Sequence, residues 1–202
     1  MSGRQIADAV GDFSNVLGVG SFFIDLFVIA NDNATDEQMF ARLDEISNSL
    51  DVLNSIASGG IKDNIAQSLG NARTAQNRLE TYTNAGSQSV REDAARDAVN
   101  FADQALNAVV LQSRSLLSDV NEGVRQFAPS STNDLSLLTY AFGAVHYAMQ
   151  VRQAVANVAQ DGPLGAPGLH QQIQEAASLL YDEANGSLSL ISAMEREISN
   201  AI

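Results

Sequence analysis

The run Val16–Ala30, VLGVGSFFIDLFVIA, is the one densely apolar stretch of the chain, and it constrains the fold more than any other segment. The residues before it continue it at helical spacing. Ile6, Val10, Phe13, Leu17, Ile24 and Phe27 fall on one seam, and Asp8, Gly11, Ser14, Gly18, Ser21, Asp25 and Asp32 on another. The spacing predicts one helix over about residues 3–30, apolar almost all round beyond Asp12, with a thin stripe of small and acidic residues. A helix of that kind must be surrounded, by other helices or by lipid.

Length and charge narrow the setting. A chain of 202 residues is long enough for one domain with a substantial core. Its net charge of −13 rests on 24 acidic residues against 11 basic ones, of which only Lys62 is a lysine. Nucleic acid is not an expected partner, because counterion release needs clustered Lys and Arg, and the sequence has no such cluster. The same balance disfavours attraction to an anionic membrane at neutral pH. With no cysteine, disulfides and thiolate metal sites are excluded.

The apolar run does not read as a secretory signal. Asp8 and Asp12 precede it where a signal peptide carries positive charge, and no A-x-A-like site follows. It is also short for a span: about 15 residues rise roughly 22 Å, against a hydrocarbon core of about 30 Å. Asp25, if charged at the bilayer centre, adds roughly 2.5–3.5 kcal/mol of insertion cost. The expectation is a soluble protein as synthesised, with no localisation specified.

After the polar break NDNATDEQ, Thr35 and Gln38 form a capping box, and Asp36 and Glu37 suit the positive end of a helix dipole. Met39, Leu43, Ile46, Leu50 and Leu53 then repeat as a heptad seam, which Gly59-Gly60 ends. A helix from Ile61 through Ile65, Leu69, Ala72 and Leu79 to Tyr82 stops at Asn84-Ala85-Gly86. Ser89 with Glu92 predicts a second capping box, opening a helix from about Val90 to Phe127. Its face carries Ala94, Phe101, Ala105, Val109, Leu116 and Val120. Past Pro129, Ser131 or Thr132 caps a helix with Leu135, Leu138, Phe142, Val145, Met149 and Val155 on its seam, and Tyr140 and Tyr147 to one side. Residues 161–168, DGPLGAPG, read as a loop. A last helix from about Leu169 carries Ile173, Leu180, Leu188, Ile191, Met194 and Ile198. No alternating strand pattern of useful length occurs.

The fold expected is all-α: a single antiparallel bundle of about six helices with seams near the +20° packing class, the hydrophobic N-terminal helix buried deepest.

No constellation of catalytic residues emerges. Gly18-Val19-Gly20 lacks the Gly-Lys-Ser/Thr ending of a phosphate loop and the third glycine of a dinucleotide fingerprint. Its structural reading is a close helix approach at Gly18 and Ser21. His146 and Met149 lie one turn apart, but there is no Glu-x-x-His pair, and His170, the other histidine, follows the Pro/Gly loop. His146 reads as a satisfied histidine at the bundle edge and Met149 as core filler. No G-x-S-x-G elbow occurs. Carboxylate pairs such as Asp44–Glu45 and Glu195–Glu197 read as solvated helix faces. No enzyme activity, metal or cofactor is expected. Asp25 differs, because Phe22, Val28 and Ile29 surround it and burial there disfavours the charged carboxylate. It is either an acid hydrogen-bonded across the bundle or a titrating brake on membrane entry.

The Val16–Ala30 run, the heptad Met39–Leu53 beside it, and the long helices Val90–Phe127 and Leu135–Val158 together resemble the helical domains of α-pore-forming toxins. These include haemolysins of the cytolysin A type and the N-terminal bundles of bacterial insecticidal toxins. The chain is shorter than the cytolysin A type, and its apolar element is a single N-terminal helix rather than a central hairpin or tongue. The resemblance implies a non-enzymatic, membrane-active bundle whose partners are membrane lipid or a protein component, with a homo-oligomer as a further possibility. The membrane-insertion candidates are Val16, Leu17, Phe22, Phe23, Ile24, Leu26, Phe27, Val28 and Ile29, with Asp25 as the switch candidate. A structural bundle that docks on protein partners through its heptad faces is the other reading of the same residues.

Overall fold

The structure is a computed structural model that describes residues 35–57, 60–121, 132–158, 169–181 and 188–201. The N-terminal helix expected over residues 3–30, with every insertion candidate and Asp25, lies outside the described residues. So do Gly18, Ser21 and Phe127. Of the described residues 95 % are helical and none is in a strand, in line with the all-α class that the sequence patterning predicts. Six helices pack against one another in a bundle: α1 (Asp36–Ile56), α2 (Gly60–Asn84), α3 (Gln88–Asn121), α4 (Thr132–Val158), α5 (Leu169–Tyr181) and α6 (Leu190–Ala201).

Local chemistry places the ends. At α1 the Thr35 hydroxyl accepts from the Gln38 N–H at 3.3 Å and the Gln38 side chain accepts from the Thr35 N–H at 3.2 Å, so the capping box is formed. At α3 the expected box is not. The helix begins at Gln88, with the Ser87 carbonyl accepting from the Arg91 N–H at 3.2 Å. Ser89 is therefore already inside the first turn, and Glu92 accepts instead from the Gln88 side chain at 2.9 Å. The last predicted helix is two helices. Its apolar spacing runs on past Tyr181, but Asn185-Gly186 is a stop signal in the sequence, and Ser189 starts a new helix by accepting from the Ser192 N–H at 3.2 Å.

Leu43, Ile46, Leu50 and Leu53 of the α1 heptad are buried, and they face α4. The α2 seam (Ile65, Leu69, Ala72, Leu79) and the α3 seam (Ala105, Val109, Leu116) are likewise inside. The centre belongs to α4, which packs on all five other described helices. From Leu135 to Met149 every residue is buried, on every face of the helix. Tyr140 and Tyr147, which the spacing set to one side, are among the largest fully buried side chains. His146 corrects in the same way: it lies inside the bundle rather than at its edge.

A helix that meets neighbours all round needs small residues between its large ones. Ala141, Ala144, Ala148 and Ala154 supply that in α4, and Ala72, Ala75, Ala98, Ala102 and Ala105 do the same on α2 and α3. Close approach of backbones at alanine gives dense packing without large side chains.

Candidate functional site

The central helix carries the polar groups that need an explanation. Ser136, Thr139, His146 and Arg152 of α4 are all buried. A buried polar group costs free energy unless its donors and acceptors are met, so the partners define the chemistry of the core.

At the α4 end near Val158, Arg152 is only 1 % exposed and its Nε donates to Asp103 Oδ1 of α3 at 2.6 Å. The carboxylate is a third exposed, so the ion pair runs from the core to the surface. The Arg152 Nη1 is buried and has no hydrogen-bond partner among the described residues.

In the middle of α4, Tyr147 is fully buried and its hydroxyl donates to Gln76 Oε1 of α2 at 2.8 Å. Gln76 Nε2 in turn donates to Asp44 Oδ1 of α1 at 2.7 Å and to Glu80 Oε1 at 3.3 Å. Asp44, exposed on its helix as expected for a solvated face, is thereby tied to a buried amide. One turn along, Arg73 of α2 donates to the Ser47 hydroxyl at 2.8 Å, to the Ser47 carbonyl at 3.1 Å and to Asp51 at 2.6 Å. Three helices are thus joined by one run of hydrogen-bonded polar side chains.

On the far side, Phe142 stacks on His146 with ring centres 6.5 Å apart and meets Tyr181 of α5 edge-on at 6.0 Å. Thr139 donates to the Leu135 carbonyl at 2.7 Å, as a buried helical threonine does when it has no better acceptor.

Burial pushes the Tyr147 hydroxyl up to about 12, and the nearby Ser47 hydroxyl and Arg73 guanidinium offset only part of the shift. Burial likewise raises Tyr140 and Tyr181 to about 12. The unfolded phenol ionises near 10, so between 10 and 12 the unfolded chain binds fewer protons than the folded one. Stability therefore falls as pH rises through that window and is unaffected by these groups below it. For Tyr147 alone the loss is roughly 2–3 kcal/mol by pH 12, and the other two add in the same direction. Urea midpoints should hold between pH 8 and 9.5 and then drop, with tyrosinate absorbance appearing together with unfolding. A midpoint that holds level to pH 11.5 contradicts this account.

None of the predicted insertion residues or Asp25 falls within the described residues, so the structure brings none of them together. His146 and Met149 are both buried on α4, while His170 is exposed on α5. Among the described residues no group of three or more His, Asp or Glu is placed to hold a metal ion, and no helix is long and apolar enough to cross a membrane. The sequence reading missed Arg152 and Gln76, although both had a signal. Arg152 continues the Phe142–Val145–Met149 spacing, and Gln76 fills the gap between Ala72 and Leu79 on the α2 seam. A polar residue at a seam position is a candidate for a buried, partnered group.

Fold and polar core together define an all-helical bundle organised on a central helix that is buried on every face from Leu135 to Met149. No family model, curated protein or solved structure matches the chain.

Proposed function

We propose that the protein is a non-enzymatic, membrane-active helical bundle in which residues 35–201 form a scaffold and Val16–Ala30 is the segment that enters lipid, acting with a partner component or as an oligomer. The observation that carries this reading is the position of α4. Among the described residues the enclosed position is taken by Thr132–Val158, so the bundle of α1 to α6 has a hub of its own. An apolar segment that the hub does not require is one that can transfer to another apolar medium at low cost to the remaining helices.

Dye release from anionic vesicles tests the reading. Leakage should be stronger near pH 5 than at pH 7.5, because a neutral Asp25 no longer opposes insertion and a less negative surface is repelled less. Asp25→Asn should bring the rate at pH 7.5 toward the rate at pH 5. If Asp25→Asn keeps the wild-type pH profile, the brake is elsewhere. Absence of release at either pH, alone or with neighbouring secreted proteins of the same host, favours the second reading, a bundle that docks on protein partners. Val52 and Ile56 favour that alternative: they sit one turn apart on α1 and are both large, apolar and exposed.

A further inference from the structure

We infer that α1 is a latch: it opens from the bundle as a unit, while α2, α3 and α4 stay packed, and its polar ladder to α2 sets how often it does so. This goes beyond the membrane reading and does not depend on it.

Three observations on the described residues carry it. First, α1 is attached on one side. It packs on α4 and much more lightly on α2, and on no other described helix to a comparable extent, whereas α4 is enclosed by all the others and α2 and α3 share the most extensive contact in the bundle. Its inner face is Leu43, Ile46, Leu50 and Leu53; its outer face exposes Val52 and Ile56. Second, the tie to α2 is made of side-chain polar bonds. Asp44, Ser47 and Asp51 stand on successive turns of α1 and meet Gln76 and Arg73, with distances of 2.6–2.8 Å at Asp51, Asp44 and the Ser47 hydroxyl. Arg73 and Asp51 are partly exposed, so water can replace their bonds without stranding either charge in the core. Third, α1 holds its own helical structure. The Thr35–Gln38 capping box satisfies its first donors locally, and Asp36 and Glu37 lie at the positive end of its dipole. It has no need to melt in order to leave. An element bound by one apolar stripe and a water-exchangeable ladder opens at lower free energy than the enclosed helices.

Opening uncovers one face of α4 and the Tyr147–Gln76 bond.

Amide hydrogen exchange on the full-length chain tests this. Once detached, α1 frays as an isolated helix of 21 residues does, so its amides should exchange through an opening that leaves the amides of α3 and α4 protected. Arg73→Ala, which removes three ladder bonds, should raise exchange of the α1 amides about tenfold while the α3 and α4 rates change by less than about twofold. Asp51→Asn should raise the same α1 amides by a smaller factor. Leu106→Ala, in the core on α3, should instead raise exchange in α2, α3 and α4 together. The inference is overturned if α1 amides are protected as long as those of α4 and rise with them in every variant. It is also overturned if Arg73→Ala leaves the α1 rates unchanged.

Discussion

Asp103→Ala is expected to destabilise the protein by about 3 kcal/mol, while Arg152→Met is expected to stay within about 1 kcal/mol of the wild type or exceed it. The asymmetry comes from where each partner sits. Arg152 is enclosed in the core and its bond to Asp103 is 2.6 Å long; remove the carboxylate and the guanidinium keeps its burial without its counter-charge. The estimate stays at the lower end of the range for breaking buried pairs because Asp103 is partly open to solvent, so water relieves some of the strain. Methionine fills a similar volume with no charge to desolvate, and it also removes the Nη1 that lacks a partner among the described residues. Urea titration of both single variants and the double variant decides the matter, provided the m-value is unchanged. The double variant should recover nearly all of the loss. If Asp103→Ala costs under about 0.5 kcal/mol, the pair behaves as a surface salt bridge and the buried environment assigned to Arg152 is wrong.

The second large effect belongs to Phe142. Its ring is fully buried, stacked on His146 and met edge-on by Tyr181. Phe142→Ala removes the ring from a helix that is packed on all sides, so no neighbour can collapse far into the space. A loss of about 3–5 kcal/mol is expected, which lowers the melting temperature by roughly 6–20 °C for a chain of this size. Leu111→Ala is the natural comparison, since Leu111 is 63 % exposed on α3; it should change stability by no more than about 0.5 kcal/mol. Similar losses for the two variants would show that α4 is not the hub of the core.

The helical class was legible because its signals are local. Thr35 and Gln38 need only each other to cap α1, and the heptad of Leu43, Ile46, Leu50 and Leu53 reports its buried face through spacing alone. The stop at Asn84-Ala85-Gly86 is equally local. What escaped was the enclosure of α4. The depth of Val16–Ala30 lies outside the described residues, and among those described the enclosed helix is α4, whose seam is interleaved with alanine, serine and threonine. Alanine adds little to an apolar count, yet it permits the close approach by which a helix becomes enclosed. Ser89 was misread as a cap because a serine followed three residues later by glutamate fits the pattern, and nothing local says that Ser87 begins the helix two residues earlier. The polar contacts of the core were out of reach for another reason. Tyr147 to Gln76 and Arg152 to Asp103 join residues on different helices, and sequence spacing reports faces, not pairings across them.

The position of α4 in the chain has a consequence during synthesis. Helix α2 can pair with α3 as soon as both have emerged, because they are consecutive and share their largest contact. Helix α1 cannot settle so early, since its main apolar partner is α4. From Ile56 to Val158 the ribosome must add about 100 residues, which takes roughly 5–20 s at ordinary elongation rates. Throughout that interval Leu43, Ile46, Leu50 and Leu53 have been made and their receiving surface has not. Among the described residues the leucine stripe of α1 therefore waits for its partner longer than it would in a bundle built hairpin by hairpin, and that stripe is where a chaperone would engage.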